Sequence, residues 1–136
     1  HLVVPLKTLD DIRAVTPDFE RIHEFCTQDH IDTVVLFSRQ TVHPESTVHC
    51  REFAPRVGTP EVPAAGTTNR ALSCYLVRHD LLECSDGKSC TVTSEQGYAM
   101  DRPSVVTTRM ALDGKTPTDL WVGGVATKAM SGQFFV

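Results

Sequence analysis

The residues with the clearest chemical promise lie in one run, Arg51-Glu52-Phe53-Ala54-Pro55-Arg56-Val57-Gly58-Thr59-Pro60-Glu61-Val62-Pro63-Ala64-Ala65-Gly66-Thr67-Thr68. It closes on a glycine and two hydroxyl residues, directly ahead of an apolar stretch that reads as a helix. The first N–H groups of a helix have no intrahelical partners, and the aligned peptide dipoles place partial positive charge there. Gly66 lets a ligand approach the backbone, and Thr67 and Thr68 bring hydroxyl donors. Together the three make a cradle for a carboxylate or a phosphate. A second reading is open, in which Thr67 or Thr68 only caps the helix. Arg51 lies on an alternating strand, where its guanidinium either faces a ligand cleft or pairs with a carboxylate.

Other chemistries find less support. The histidines (His1, His23, His30, His43, His49 and His79) reproduce neither a helical His-x3-His pair nor a zincin pattern, so surface or core positions and no metal site are expected. His79 falls near the end of the predicted helix, where an imidazole can interact with the last carbonyls. Cys26, Cys50, Cys74, Cys84 and Cys90 form an odd set without CxxC spacing, which predicts buried or free thiols in a reducing compartment. Cys84 and Cys90 flank a Ser-Asp-Gly-Lys turn and would pair only if oxidised. Cys50 adjoins His49, but neighbours on a strand point to opposite faces, so they form no nucleophile–base dyad. Ser73-Cys74-Tyr75 sits on the predicted helix without a nucleophile elbow. Trp121 is expected in core or domain-interface packing rather than as a substrate platform.

These residues need elements to hold them. Leu2–Leu6 reads as a strand. Thr8 caps a short helix over Leu9–Val15, with Asp10 and Asp11 in its first turn. Thr16 is expected to cap a second helix, with Pro17 at its first position and Phe19, Ile22 and Cys26 on its buried face. Asp32–Ser38 suits a strand buried on both faces, and Thr47–Ala54 is another strand. Between Pro55 and Thr68 the spacing of Gly58, Pro60, Pro63 and Gly66 predicts a shaped loop, with Thr59 and Val62 extended ahead of prolines. Asn69–Leu82 is apolar nearly all round and therefore reads as a helix buried on every side. Ser89–Gln96, Ser104–Leu112, Leu120–Ala126 and Gln133–Val136 read as strands separated by turns at Gly97, Asp113-Gly114 and Ser131-Gly132. The expected architecture is α+β: a mostly antiparallel, curved, barrel-like sheet wrapped around one central buried helix.

Composition narrows the function classes. A chain of 136 residues holds one domain with a real core and is too short for two ordinary ones, so 1–136 reads as a single domain. Thirteen basic and seventeen acidic side chains give a net charge of −4, and the basic residues are scattered, which argues against a nucleic-acid partner. No apolar stretch approaches the ~20 residues that span a bilayer, and no signal peptide is visible, so a cytoplasmic location without membrane contact is expected. The chain starts at His1 and runs directly into a strand, which reads as part of a longer polypeptide.

Two motifs carry a resemblance. The run from Arg51 is similar to a PhzF-family pattern in which Arg-x-Phe-Ala-Pro leads to Gly-x-x-Glu-Asp-Pro-x-Thr-Gly-Ser-Ala, matched at Arg51, Phe53, Ala54, Pro55, Gly58, Glu61, Pro63 and Gly66. Downstream, Glu95-Gln96-Gly97-Tyr98-Ala99-Met100-Asp101-Arg102-Pro103-Ser104 resembles the family's Gln-Gly-x-x-Met-Gly-Arg-Pro-Ser signature. The closing Val122-Gly123-Gly124-Val125-Ala126, with Gly132 beyond, resembles its last strands, and Leu2–Leu6 with Pro17-Asp18-Phe19 the opening of its second domain. The chain thus resembles the C-terminal half of a PhzF-like protein, in the phenazine-biosynthesis branch of the diaminopimelate-epimerase fold, without the N-terminal domain.

The resemblance implies a cleft between two domains in which a small acid is isomerised or epimerised by moving a proton, with neither metal nor organic cofactor. It implies substrate contact at Gly66, Thr67 and Thr68, with Arg51 and Glu61 as further candidates. The family's catalytic Glu belongs to the N-terminal domain, and the Asp of Glu-Asp-Pro is Val62 here, so no catalytic residue is assigned in this chain. Ala65 replaces the motif Thr, Thr67 the Ser, Thr68 the Ala, and Asp101 a Gly. A valine neither carries nor orients a proton, which implies altered chemistry. Two functions follow. One is half of an isomerase- or epimerase-type enzyme for a small carboxylated metabolite, completed by the N-terminal half of the same protein or by a second chain. The other is a non-catalytic binding or interaction module. Either way an apolar face should await a partner domain or a second copy in a homodimer.

Overall fold

Burial of one strand on both sides organises the molecule. The structure, a computed structural model, describes residues 1–84 and 87–135. In chain order the elements are β1 (Leu2–Pro5), α1 (Leu9–Ala14), α2 (Phe19–Gln28), β2 (Val34–Ser38), β3 (Val48–Ala54), β4 (Thr59–Val62), α3 (Gly66–Arg78), β5 (Ser89–Gln96), β6 (Ser104–Asp113) and β7 (Thr116–Gly123), with 3-10 turns at Pro55–Val57 and Tyr98–Met100. Every residue of β3 is buried. Its alternation sends Val48, Cys50 and Glu52 toward α3, and His49, Arg51 and Phe53 toward the side of α1 and α2.

The strands form one sheet in the order β1-β2-β3-β5-β6-β7, with β4 also paired to β3. Four of the pairings are antiparallel, while β1–β2 and β3–β5 run parallel. One edge of β3 carries β2. The other is shared: β5 pairs at Val48 and His49, then diverges, and β4 takes over at Glu52–Ala54. That fork is where the site is built. The core fills the space between sheet and α3 with Val35, Phe37, Val48, Leu72, Leu76, Val92 and Met110. Each such apolar side chain contributes about 1.5–3 kcal/mol by leaving water.

The α+β class and the antiparallel bias hold. The sheet, however, is open, ending in β1 and β7, and does not wrap around its helix. The reason lies in α3 itself. It begins three residues before the predicted start and ends four before the predicted end, and Thr67, Arg70 and Arg78 line up on an exposed stripe. Asn69 and Ser73, polar in sequence, are buried instead. The helix is amphipathic, with one side on the sheet.

Thr8 caps α1 with a full capping box to Asp11, as expected. In α2 the cap is Asp18 rather than Thr16, accepting from the Arg21 N–H at 3.1 Å, so Pro17 stays outside the helix. A carboxylate both reaches the orphan N–H and complements the dipole. Cys84 and Cys90 are joined in a disulfide, Cα atoms 5.1 Å apart, rather than left as thiols, while Cys26, Cys50 and Cys74 are free. The Ser85-Asp86 part of their turn lies outside the described residues. The last strands also differ: β7 spans Thr116–Gly123, and 124–135 form no strand. Of the predicted strand over Gln133–Val136, Val136 lies outside the described residues. Val125, Met130, Phe134 and Phe135 of this segment are nearly fully exposed.

Candidate functional site

Gly66 and Thr67 form the exposed first turn of α3, and Ala65 precedes them as N-cap with no side-chain hydrogen bond. The capping reading fails: neither threonine caps. Thr68 turns inward, 1% exposed, and donates its hydroxyl to Glu52 Oε1 at 2.5 Å. The turn therefore keeps free the donors that α1 and α2 satisfy through Thr8 and Asp18. Ala64, Ala65 and Gly66 line a cleft of about 970 Å³ at the start of β6 and the end of β7, whose walls include Ser104, Val105, Arg109 and Trp121; Thr67 and Thr68 do not line it. Val122 lies 3.5 Å from where a Cβ on Gly66 would sit, so a larger residue there would narrow the cleft. Trp121 is 57% exposed, which removes it from the core.

Beneath this turn lies a buried polar network that the sequence did not disclose. Gln96, at the end of β5, donates to the Val62 carbonyl at 2.7 Å and reaches Glu52 Oε2 at 3.4 Å. Asn69 donates to Gln96 Oε1 and to the Ala65 carbonyl, both at 2.8 Å. Cys50 Sγ lies 3.9 Å from Gln96 Oε1 and 4.0 Å from Asn69 Oδ1. Burial pushes the Glu52 carboxyl up from its ordinary pKa, against the opposing effect of its hydrogen bonds from Thr68 and Gln96. Burial likewise pushes the Cys50 thiol up, with Glu52 and Glu95 adding to the rise. Cys50 is a neutral core residue, with His49 on the opposite face.

Arg51 and Glu61 meet each other. The guanidinium grips the carboxylate through Nε–Oε1 and Nη2–Oε2, each 2.9 Å, and its Nη1 donates to the carbonyls of Val15 at 2.7 Å and Ile12 at 3.3 Å. Both side chains are nearly buried, and Arg51 also lies over the Phe53 ring. The pair ties the end of α1 to β3 and β4, on the face of the sheet away from α3.

The second motif is a clamp. Glu95, fully buried, accepts the N–H groups of Val42 at 2.9 Å and His43 at 2.7 Å and meets His49 Nδ1 at 2.9 Å. Burial pushes its pKa up, but the hydrogen bonds from Val42, His49, His43 and Ser46 outweigh that, and the carboxyl sits below its ordinary range. Tyr98 lies against the His49 ring at 4.9 Å. Gly97 has φ +84°, and a Cβ there would come within 2.7 Å of the Pro63 carbonyl and also meet the carbonyl of Arg102. Only glycine fits that turn. Asp101 takes the left-handed conformation at φ 53°, one that Asp tolerates in place of the motif's glycine. Gln96-Gly97 thus presses directly on Val62-Pro63, joining two motifs some thirty residues apart.

Glu52, Asn69 and Gln96 were visible as polar residues of two predicted strands and a predicted helix. Their meeting depends on the β3–β4 and β3–β5 registers, which local pattern does not carry. Among the described residues no group of three or more His, Cys, Asp or Glu is placed to hold a metal ion, and no helix is long and apolar enough to cross a membrane.

Comparison with known proteins agrees with the family resemblance. The family model described as phenazine biosynthesis-like protein, PhzC-PhzF, matches residues 1–132. An uncharacterized isomerase of Clostridium acetobutylicum is 24% identical over 125 residues, 92% of this chain and 41% of that protein. Another, from Mesorhizobium japonicum, is 31% identical over 101 residues, 74% of this chain and 32% of its own length. The crystal structure of a PhzF-family phenazine biosynthesis protein from Bacillus anthracis superposes with a TM-score of 0.70 at 18% identity, covering 90% of this chain and 45% of that one. The chain spans less than half the length of these proteins. With a matching family model over nearly all its residues and a shared fold, this chain belongs to the phenazine biosynthesis-like PhzC-PhzF family.

Proposed function

We propose that this chain supplies one half of an isomerase- or epimerase-type enzyme acting on a small carboxylated metabolite. The other half of the cleft comes from an N-terminal domain of the same protein or from a second chain. The observation that carries this reading is the uncapped first turn of α3, whose Gly66 lines a cleft with Arg109 and Trp121 in its walls and whose Thr67 is exposed next to it. A carboxylate seated there meets orphan N–H donors and the positive end of the dipole. When a proton leaves the carbon beside that carboxylate, negative charge flows onto its oxygens, where the same donors stabilise it. Val62 takes no part in proton transfer, so the base belongs to the partner half, where closure of the cleft would desolvate it and raise its pKa. Chemistry altered from the motif's own follows from that valine. The names of the relatives, uncharacterized isomerases, support the reaction class. Val62 and Ala65 favour a second reading, a binding module that kept the cradle without catalysis.

The test is Thr67→Asp, read with the chain's single tryptophan, Trp121, as a fluorescent reporter in the cleft. An aspartate in a first helical turn stabilises the helix by about 0.3–1 kcal/mol. It should also repel a ligand carboxylate and lower the affinity for a panel of small carboxylic acids at least tenfold. Unchanged affinity in this variant would remove the α3 turn from the binding site.

A further inference from the structure

Among the described residues, no cationic side chain pairs with the Glu52 carboxyl. Its flanking residues in register are apolar, Val35 on β2 and Val62 on β4. From α3 it meets Thr68, with Asn69 beside it, and from β5 it meets Gln96; none of these ionises. Cys50, two residues earlier on the same face of β3, has its thiol pushed up and stays neutral. The nearby ionisable groups Arg51, Glu61, His49 and Glu95 are engaged with one another on the opposite face. An ionised carboxylate offers about four acceptor sites. Among the described residues Glu52 finds two donors, the Thr68 hydroxyl at 2.5 Å and the Gln96 amide at 3.4 Å.

The positive charge within reach of Glu52 is the first turn of α3, to which Thr68 directly links it. An ionised Glu52 would use that helix end from inside the protein, and a bound anion would use it from the cleft. Like charges on either side of a single turn disfavour one another, and the group able to neutralise itself is Glu52. Once protonated it becomes a donor, and Thr68, whose hydroxyl rotates, can accept from it, so the network keeps its bond. Burial favours the same neutral form.

We infer that Glu52 is a positioning residue that couples the α3 turn to a proton: holding an anion at Gly66-Thr67-Thr68 goes with uptake of one proton on Glu52. This rests on the reading of that turn as an anion site. The grip on a carboxylate tightens as pH falls and loosens as Glu52 ionises. The cleft then binds its acid and a proton together and releases them together.

Sulfate tests this, because its charge is constant across the working range and any pH slope belongs to the protein. Sulfate affinity, followed by Trp121 fluorescence from roughly pH 5 to 9, should fall toward tenfold per pH unit once Glu52 ionises. In Glu52→Gln, whose amide donates to Thr68 at every pH, the slope should vanish while binding persists. A wild-type profile without slope, or an equal slope in Glu52→Gln, overturns the coupling but leaves the anion site standing. No sulfate binding by either protein at any pH removes the anion site and the coupling with it. Should Glu52→Gln fail to fold, the carbon-13 titration of the Glu52 carboxyl in the wild-type protein decides: its midpoint should rise with saturating sulfate, and an unmoved midpoint overturns the proposal.

Discussion

Replacing Arg51 by methionine separates a structural from a ligand-binding role for the Arg51–Glu61 pair. The guanidinium makes four hydrogen bonds, two to Glu61 and two to carbonyls at the end of α1, and the side chains of the pair are 7% and 11% exposed. Methionine keeps much of the volume over Phe53 but leaves the Glu61 carboxylate without its cation and strips Ile12 and Val15 of a donor. Breaking a buried ion pair from one side costs about 3–5 kcal/mol. For a domain of this length, roughly 3–5 °C of Tm accompanies each kcal/mol, so the melting point should drop by roughly 10–25 °C. Arg51→Lys keeps the charge but loses the two-pronged grip and should fall between wild type and Arg51→Met. Glu61→Gln should cost less than Arg51→Met, because Arg51 retains the carbonyls of Ile12 and Val15. Chemical denaturation of the three variants and of the Arg51→Met/Glu61→Gln double variant gives the coupling directly, with a non-additivity of about 1–3 kcal/mol expected. An Arg51→Met protein as stable as wild type but deficient in carboxylate binding would refute this reasoning and return Arg51 to the cleft.

Gly97→Ala forces a left-handed φ on a side chain and drives its Cβ against the Pro63 carbonyl, so a loss above about 2 kcal/mol is expected; Gly58→Ala, also at positive φ but with open space around it, should cost only about 1 kcal/mol, and equal losses in thermal unfolding would contradict the clamp. Glu95→Gln should destabilise by about 1–3 kcal/mol near neutral pH, since its amide cannot accept all the N–H groups gathered there. The Glu95 pKa is depressed in the fold, so its contribution is present above the ordinary carboxylate range and is lost as pH falls through the folded value. The gap between wild type and Glu95→Gln in a pH series of denaturation curves should therefore close in acid, and a gap that widens there would sink the assignment. Glu52 pulls the other way: its raised pKa contributes stability at low pH that is lost as pH rises through the folded value.

What the sequence disclosed followed the range of its signals. The Thr8 box, β5 at Ser89–Gln96 and the doubly buried β2 are local events, written in caps, alternation and apolar runs. Asp18 displaced Thr16 as cap because both are good caps two residues apart, and only the geometry of the first turn chooses between them. The wrapped helix does not hold because composition alone hides Arg70 and Arg78 among apolar neighbours, whereas their spacing with Thr67 draws an exposed stripe. The disulfide is poorly legible because an odd cysteine count does not point to pairs, while the short Cys84–Cys90 spacing permits one. Among the site residues, Gly66 and Thr67 were legible as the approach to a helix, though not as its first turn. The inward turn of Thr68 was not, since it depends on a carboxylate brought across from β3.

The fork in the sheet explains why the two motifs belong together. Where β5 leaves β3 and β4 replaces it, backbone groups of both strands lose a ladder partner, and a buried carbonyl without a donor costs about 1–3 kcal/mol. Gln96 fills that gap with one side chain, donating to the Val62 carbonyl while accepting from Asn69 of α3. Gly97 then lets the chain turn hard against Pro63. The position of the α3 turn relative to the cleft is therefore set from three strands at once. A carboxylate held by that turn would be held by a rigid part of the sheet rather than by a loop, which is what proton transfer at a neighbouring carbon requires, because small errors in placement cost large factors in rate.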